Sequence, residues 1–410
     1  MPEGNNRMSF ALTSGIKALG INSSTIQQRN RAVLLQLIRD NKVISRVDLA
    51  RLTGLKKATI TINVNEFIRV GLVQDGGTVT SETGRKIKGV SLTPNNFFVL
   101  CVYMNSRFVE VAVYDITSDC ISKVKKEYDH RIESREAYEG MIELVDGLLQ
   151  TMPTEKIIAI GIGYDGIFSE NYLNYDGNPD AFNLKAEVEK KYDKPVWIEQ
   201  ALLYAVHDWR YKNEENLNTQ SYIYVYVDNV ITSVFQVNRH LLLTGTKGRA
   251  GSIGLCRIGE DADGRPVRLD DILSNDGIVE TVKQRRERCP DSVLNHMETI
   301  TVEDVLGAYH QEDPLALSVF DHACAELGKL LSHYICFANP DKIILGGDLP
   351  RHPRILDVLG ESSCQGIPED MRPEIVFDYD ASISRQEQIM KGIGEFVTNR
   401  CLKHIQIRKE

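Results

Sequence analysis

One segment near the start of the chain combines helical spacing with side chains that bind nucleic acids. Apolar residues recur along one side of it, and the positions that can look outward are Lys57, Thr59, Thr61 and Asn65. An ammonium group binds phosphate oxygens, and hydroxyl and amide groups exchange hydrogen bonds with base edges. The chemistry that these residues predict is noncovalent binding of double-stranded DNA.

The charge of the chain is divided between two parts. Residues 1–93, the head, hold fourteen Lys/Arg and six Asp/Glu, a net charge of +8. Residues 94–410, the body, hold 34 Lys/Arg and 51 Asp/Glu, a net charge of −17. Phosphate affinity scales with the number of cations presented locally. This division therefore favours a head that binds a polyanion and a body that does not bind it.

The head is predicted to contain three helices. The first spans residues 25–41, and its polar positions include Arg29, Arg31 and Arg39. Ser45 caps a short second helix, Gly54 ends it, and a third helix follows over residues 57–70. This order is that of a helix-turn-helix, whose second element fits a major groove about 12 Å wide.

A β-hairpin wing is predicted to follow the third helix. After Gly71 the sequence alternates apolar and polar residues about Gly76-Gly77 and again about Thr83-Gly84. The tip of the wing carries three cations, namely Arg85, Lys86 and Lys88. We expect these side chains to enter a minor groove, whose negative potential is deepest where the groove is narrow.

Composition sets the broad class of the protein. The 410 residues are 42% hydrophobic and 26% charged, which is typical of a soluble protein with two or three cores. The eight cysteines are far apart and form no CxxC pair, so we expect free thiols, with neither a thiolate metal site nor a redox pair. No cofactor is expected. No apolar run approaches the roughly 18 residues that span a bilayer, and we expect a cytoplasmic protein without a membrane partner.

The body alternates strands with helices. Its first half has a strand pair over residues 97–115, a helix over 136–150, a strand over 156–163, a helix over 184–192 and a strand over 195–198. Its second half has paired strands at 222–227 and 232–237, a helix over 315–337, a strand at 342–345 and a closing helix over 385–403. A strand pair followed by βα units, occurring twice, predicts two α/β lobes with mixed sheets and a cleft between them.

Together these features resemble the ROK family (repressors, open reading frames and sugar kinases), in the branch with an N-terminal helix-turn-helix. The resemblance covers nearly all of the chain after Ser24 and is carried by IGIG at 160–163, PVWIEQ at 195–200, TGTKGRAGSIGLCRIG at 244–259, NDGIVE at 275–280 and IILGGDL at 343–349. It implies an α/β protein in which a winged helix-turn-helix precedes a two-lobed, actin-like (ribonuclease H-like) sugar kinase fold.

The resemblance also implies a division into domains. We expect a flexible arm over residues 1–24 and a winged helix-turn-helix over 25–93. The first lobe is expected at 94–200, completed by the C-terminal helix at 385–410. The second lobe, which would serve effector binding and dimerisation, is expected at 201–384.

The positions that match the family's kinase machinery carry other residues. The family places its catalytic base in a Glu-Asn-Asp-Ala-Asn stretch, and the matching aspartate position here is Ala201, whose methyl group accepts no proton. The first phosphate loop is replaced by residues 104–107 and the second by residues 227–232, neither of which contains glycine. Without glycine, close approach of backbone N–H groups to phosphate is hindered. We therefore expect no catalytic residue.

The sugar and zinc positions have changed as well. Ser252 stands at the position of a sugar-binding carboxylate, Leu255 replaces a zinc-ligand histidine, and the zinc loop has no cysteine, so no metal is expected. The resemblance still allows a small-molecule site between the lobes. Gln200, Ser252 and Glu280 are the candidate ligand contacts, because all three can form hydrogen bonds. The alternative is a cleft that has lost its ligand and persists as a dimerisation scaffold.

The leading hypothesis is a DNA-binding transcriptional regulator, a repressor, that controls carbohydrate-related genes. It would act as a homodimer or a dimer of dimers on an inverted-repeat operator and respond to a small carbohydrate-type effector. Two alternatives remain, an active sugar kinase with an appendage and a non-enzymatic scaffold that binds other proteins.

Overall fold

The computed structural model describes residues 23–80, 86–105, 107–130, 132–165, 167–169, 172–174, 183–212, 221–237, 241–243, 250–378 and 384–404. The predicted arm lies almost wholly outside them. The chain divides into two compact units. Unit 1 comprises Met1–Ile167, Asn171–Asp208 and Gln388–Glu410, and unit 2 comprises Phe168–Glu170 and Trp209–Glu387. The domain boundaries expected from the sequence stay predictions.

The head, in unit 1, folds as three helices and a three-stranded sheet. Its elements are α1 (Ser23–Asp40), β1 (Ile44–Ser45), α2 (Arg46–Thr53), α3 (Lys57–Arg69), β2 (Val73–Thr80) and β3 (Lys86–Leu92), with the strands in the order β1-β3-β2. The Ser45 hydroxyl caps α2 by accepting from the N–H of Asp48 at 3.0 Å, and Gly54 ends it with a φ of 68°. The predicted winged helix-turn-helix is confirmed.

A small apolar core fixes α3 against the other elements of the head. Leu34 and Ile38 of α1, Leu49 of α2, and Ile60 and Phe67 of α3 have no exposed surface. Burial at Ile60 and Phe67 leaves the opposite face of α3 to solvent, as its helical spacing predicts.

The wing differs from prediction at its glycines. Gly76 and Gly77, expected at a turn, lie within β2, and the β2–β3 register shifts between Gly76 and Thr78. The pairing continues past this bulge to Thr80 opposite Lys86. A bulge and a turn both favour glycine, which is why the sequence signal was ambiguous. The predicted Thr83-Gly84 turn lies outside the described residues.

The rest of unit 1 is built on a five-stranded mixed sheet. Its elements are β4 (Phe98–Met104), β5 (Phe108–Asp115), β6 (Cys120–Glu127), α4 (Ser134–Leu149), β7 (Ile157–Tyr164), α5 (Leu184–Tyr192), β10 (Val196–Gln200), α6 (Ala201–Lys212, in unit 1 to Asp208) and, from Gln388 onward, α12 (Arg385–Lys403). Strands β8 (Ile167–Ser169) and β9 (Tyr172–Asn174) are not part of this sheet, and Phe168 and Ser169 of β8 are assigned to unit 2. The order β10-β7-β4-β5-β6 joins a parallel half to an antiparallel half.

Helix α12 packs directly on this sheet because β7 carries a glycine beneath it. A Cβ on Gly161 would lie 2.5 Å from methyl carbons of both Ile393 and Val397. Any larger side chain would push the helix away from the strand.

Unit 2 is built on a second five-stranded mixed sheet. Its elements are β11 (Tyr222–Val227), β12 (Thr232–Val237), β13 (Leu241–Leu242), β14 (Arg257–Glu260), β15 (Pro266–Arg268), α7 (Asp270–Leu273), α8 (Asn275–Arg285), α9 (Val302–His310), α10 (Pro314–Ala338), β16 (Lys342–Gly347), α11 (Pro353–Cys364) and β17 (Glu374–Phe377). The order is β13-β12-β11-β16-β17, and β14 pairs with β15 separately. The long helix α10 supplies much of the core, with Leu315, Val319, Phe320, Leu327 and Leu331 fully buried.

The two sheets share one topology. Each has an antiparallel three-strand meander whose first strand pairs in parallel with a later strand, which in turn pairs in parallel with another. The prediction of two α/β lobes with mixed sheets is therefore confirmed. No helix among the described residues is long and apolar enough to cross a membrane.

Candidate nucleic-acid interface and ligand site

The outward face of α3 carries three of the four residues that were predicted to contact a DNA groove. Lys57, Thr61 and Asn65 are exposed, whereas Thr59 is only half exposed. The Thr61 hydroxyl donates to the carbonyl of Lys57 at 3.0 Å, and the amide of Asn63 donates to the carbonyl of Thr59 at 2.8 Å. Because Thr59 is only half exposed, it lies at the edge of this face, and Lys57, Thr61 and Asn65 are its exposed polar members.

Arg46, which helical spacing alone did not single out, joins this face. Its Nη1 donates to Oδ1 of Asn65 at 2.9 Å, so α2 and α3 place a guanidinium and an amide side by side. Arg46 follows the N-cap residue Ser45, and that position was the signal that could have identified it. A guanidinium beside a base-reading amide can bind a phosphate and hold the amide in position.

Two arginines of α1 point inward rather than toward solvent. Arg31 forms an ion pair with Glu66 of α3, and Arg39 is also buried, each with 7% of its surface exposed. Both belonged to the basic surplus counted from the sequence. The pair of Arg31 with Glu66 fixes α3 on α1, because a buried charge is stable only with a partner. Arg31 and Arg39 therefore present little of their charge at the surface of the head.

The wing presents two of its three predicted cations. Lys86 and Lys88 are exposed on β3, opposite Thr80 and Thr78. Residues two apart on a strand share a face, so the two ammonium groups form one charged strip. Arg85 lies outside the described residues. The strip can bind two neighbouring phosphates along a groove.

The three predicted ligand-binding residues are not gathered in one unit. Gln200 ends β10 in unit 1, and Ser252 and Glu280 belong to unit 2. Ser252 follows Gly251, whose φ is 88°. Only glycine fits at position 251, because a Cβ on it would lie 1.8 Å from the carbonyl oxygen of Ser233. Glu280 is exposed in the middle of α8 and accepts a hydrogen bond from Gln284 at 3.0 Å.

A polar network in unit 2 surrounds the carboxyl ends of β11 and β16. The side-chain amide of Asn275 donates to Asp228 at 3.1 Å and to Asp348 at 2.7 Å. Arg385 pairs with Asp228 and lies 4.9 Å from the centre of the Tyr226 ring. Burial raises the pKa of Asp348 above its usual range. No sequence pattern predicted this network, because its members are far apart in the chain.

The position matched to the family's catalytic base is a buried methyl group. Ala201 is the first residue of α6 and has no exposed surface. The acid nearest to it in the sequence, Glu199, is half-buried near the end of β10. Burial raises the pKa of Glu199 to about 7, although Arg400 and Lys185 act in the opposite direction. Among the described residues there is no group of three or more His, Cys, Asp or Glu that could hold a metal ion.

Comparison with known proteins places this arrangement in a family. A model of the ROK family matches residues 109–394. A putative xylose repressor from Caldicellulosiruptor sp. (strain Rt8B.4) is 23% identical over 347 residues, which cover 79% of this chain and 84% of that protein.

Two solved structures share the fold. A ROK family transcriptional regulator, a homologue of the Escherichia coli MLC protein, has a TM-score of 0.76 and 20% identity, and the match covers 92% of this chain and 98% of that one. A ROK family glucokinase from Streptomyces griseus, solved with glucose and AMPPNP, has a TM-score of 0.57 and 18% identity, and its match covers 73% of this chain and 98% of that one.

Proposed function

We propose that this chain, which belongs to the ROK family, is a DNA-binding transcriptional repressor that controls carbohydrate-related genes. The observation that carries the proposal is the face of the head on which Lys57, Thr61, Asn65 and Arg46 lie together. A cation, a hydroxyl and an amide exposed on the second helix of a helix-turn-helix match what a major groove offers. The name of a relative, a putative xylose repressor, supports the same role.

The DNA site is an inverted repeat bound by two copies of the chain. A single α3 reads only a few base pairs, and a two-fold symmetric dimer reads two half-sites about one helical turn apart. Lys86 and Lys88 on the wing bind the flanking backbone and give the complex a steep salt dependence. The assembly is a homodimer or a dimer of dimers.

The body does not phosphorylate sugars. Ala201 supplies no base where the family resemblance places one. The connection from β11 to β12, which matches the family's second phosphate loop, begins with Asp228, and Asp348 lies beside it across Asn275. Two carboxylates at this edge repel a phosphate, and Arg385 is already paired with one of them.

The body instead binds a carbohydrate-type effector. Ser252 and Glu280 of unit 2 are its proposed contacts, and Gln200 of unit 1 is kept as a separate candidate, since amide, hydroxyl and carboxylate groups are what recognise sugar hydroxyls. Thermal-shift titration with D-xylose and D-glucose tests this part, because a ligand that binds only the folded state raises the melting temperature. Loss of the shift in a Ser252→Ala variant would support the site. If neither sugar nor any other member of a sugar and sugar phosphate panel stabilises the protein, a scaffold without an effector is the better description.

A mobility-shift assay of the full chain against its own upstream region tests the main proposal. We expect a discrete complex that unlabelled specific duplex displaces at lower concentration than a scrambled duplex does. Absence of any complex at low salt would reject DNA binding. A complex displaced equally by both competitors would reduce the proposal to nonspecific binding.

One alternative is an active sugar kinase, because a glucokinase shares this fold. This alternative can be tested directly. A coupled assay that follows ADP production over a panel of hexoses, pentoses and amino sugars should show no turnover above the rate without sugar. Phosphorylation of any sugar would overturn the assignment of Ala201 as the base position.

A further inference from the structure

The DNA-facing side of α3 contains an exposed apolar residue that polar recognition does not explain. The side chain of Ile62 is 63% exposed, the largest value for a large apolar residue among the described residues of the head. Ala58, one helical turn earlier, is also exposed. Residues four apart on a helix are neighbours, so the two form an apolar stripe along the helix.

The stripe is placed among the polar groups of the same face. Ile62 is one residue from Thr61 and three from Asn65, and Lys57 precedes Ala58. Isoleucine is a weaker helix former than leucine, lysine or glutamate, so it gains nothing at an exposed helix position on its own account. Lys57 and Arg46 place two cations on this face. They disfavour burial against an apolar surface and favour binding of a polyanion.

In the major groove of DNA, only thymine presents an apolar group. Thymine presents its C5-methyl group there, next to the O4 acceptor, and no other base has a comparable apolar group. An alkyl side chain on a helix in the groove contacts this methyl and removes both from water. Ile62 with Ala58 provides such a surface, flanked by groups that can bond to the neighbouring base edges.

We propose that Ile62, supported by Ala58, reads the C5-methyl group of one thymine in each half-site. This inference rests on the proposed function and adds to it a specificity determinant and the base that it recognises. Thr61 and Asn65 then read the adjacent base pairs, and Lys57 and Arg46 hold the helix on the phosphates.

The experiment begins with the full chain and a randomised double-stranded library, from which bound duplexes are selected and sequenced. The selected duplex is then remade with 2′-deoxyuridine in place of thymidine, one position at a time, which removes only the methyl group. Because burial of one methyl-sized group contributes about 0.8 kcal/mol, affinity should fall about fourfold at one thymine of each half-site.

The variants identify the side chain responsible. Ile62→Ala should bind the thymidine and deoxyuridine duplexes equally at that position, with thymine no longer preferred there in a repeated selection. Val33→Ala removes a comparable exposed side chain from α1 and should keep the full dependence on the methyl group. Circular dichroism of both variants checks that the head remains folded.

Each outcome decides a different question. If the full chain selects no motif, the proposed function and this inference fail together. If it selects a motif but no deoxyuridine substitution weakens binding, or if Ile62→Ala still discriminates thymidine from deoxyuridine, the function stands and the inference is wrong.

Discussion

Arg39 of the head forms an ion pair with Glu395 of helix α12, with 4% and 11% of their side chains exposed. The same guanidinium donates to the hydroxyl of Ser118 at 2.7 Å and to the side-chain oxygen of Asn399. A planar fork that reaches three acceptors needs arginine, because lysine offers a single point charge. The last turn of α1 is therefore bound to the body by one side chain.

Removing this guanidinium should destabilise the protein. Arg39→Met leaves Glu395 as a buried carboxylate without its partner, and we expect the free energy of unfolding to fall by about 2–4 kcal/mol in urea titrations. The Arg39→Met/Glu395→Met double variant removes both charges, so its loss should be smaller than the sum of the two single losses. Additive losses would show that the pair contributes no coupling energy.

Glu199 should make stability depend on pH. Its folded-state pKa of about 7 lies above the unfolded-state value of about 4.3, so its contribution is fully present below pH 4 and is lost as pH rises through 7. Glu199→Gln stays neutral, and its stability relative to the unchanged protein should increase by about 1–2 kcal/mol between pH 5 and pH 8. Thermal unfolding at both pH values measures this, and an unchanged difference would mean that the carboxyl titrates normally.

The exposed lysines of the head should set the salt dependence of DNA binding. Replacing Lys57, Lys86 or Lys88 by alanine should weaken binding to all sequences alike and reduce the slope of log affinity against log salt by about 1 for each phosphate that is no longer neutralised. Lys123, exposed on β6 of the body, is the matched control, and its replacement should leave the slope unchanged. Equal effects of Lys123→Ala and Lys57→Ala would contradict the placement of the interface on the head.

Two glycines of unit 1 should respond oppositely to the same substitution. Gly161→Ala forces a methyl group against Ile393 and Val397 and should destabilise the protein by about 1–3 kcal/mol. Gly147 lies in α4, and no neighbouring atom is within 4 Å of the place that an alanine methyl group would occupy, so Gly147→Ala should stabilise by about 0.5–1 kcal/mol. Urea titrations compare the two, and destabilisation by Gly147→Ala would contradict the open surroundings of that residue.

Local signals in the sequence were sufficient for the helix-turn-helix and for several elements of the body. The capping serine at 45, the glycine at 54 and the helical spacing of α3 correctly predicted the helix-turn-helix, and the bounds of the β11–β12 pair and of α12 agree with prediction. These elements depend on residues close in the chain. Strand β6 was not predicted because none of its residues is buried and its apolar alternation is weak.

Contacts between residues far apart in the chain could not be predicted from the sequence. Arg39 and Glu395 are 356 residues apart, and Asn275 joins carboxylates 47 and 73 residues away. Charge counting assigned Arg31 and Arg39 to a basic surface, yet both are buried. A long arginine side chain can turn inward where a buried carboxylate pairs with it. The apolar stripe at Ile62 was missed for the opposite reason, since an isoleucine in a helix is usually assigned to the core.

The central claim is that the head reads a DNA sequence, and fluorescence anisotropy titrations of the full chain test it most directly. The duplex selected from a random library and a scrambled duplex of the same composition are compared at several salt concentrations. We expect the selected duplex to bind at least about a thousandfold more tightly near physiological salt, with steep salt dependence for both. Equal affinity for the two duplexes at every salt concentration would contradict it.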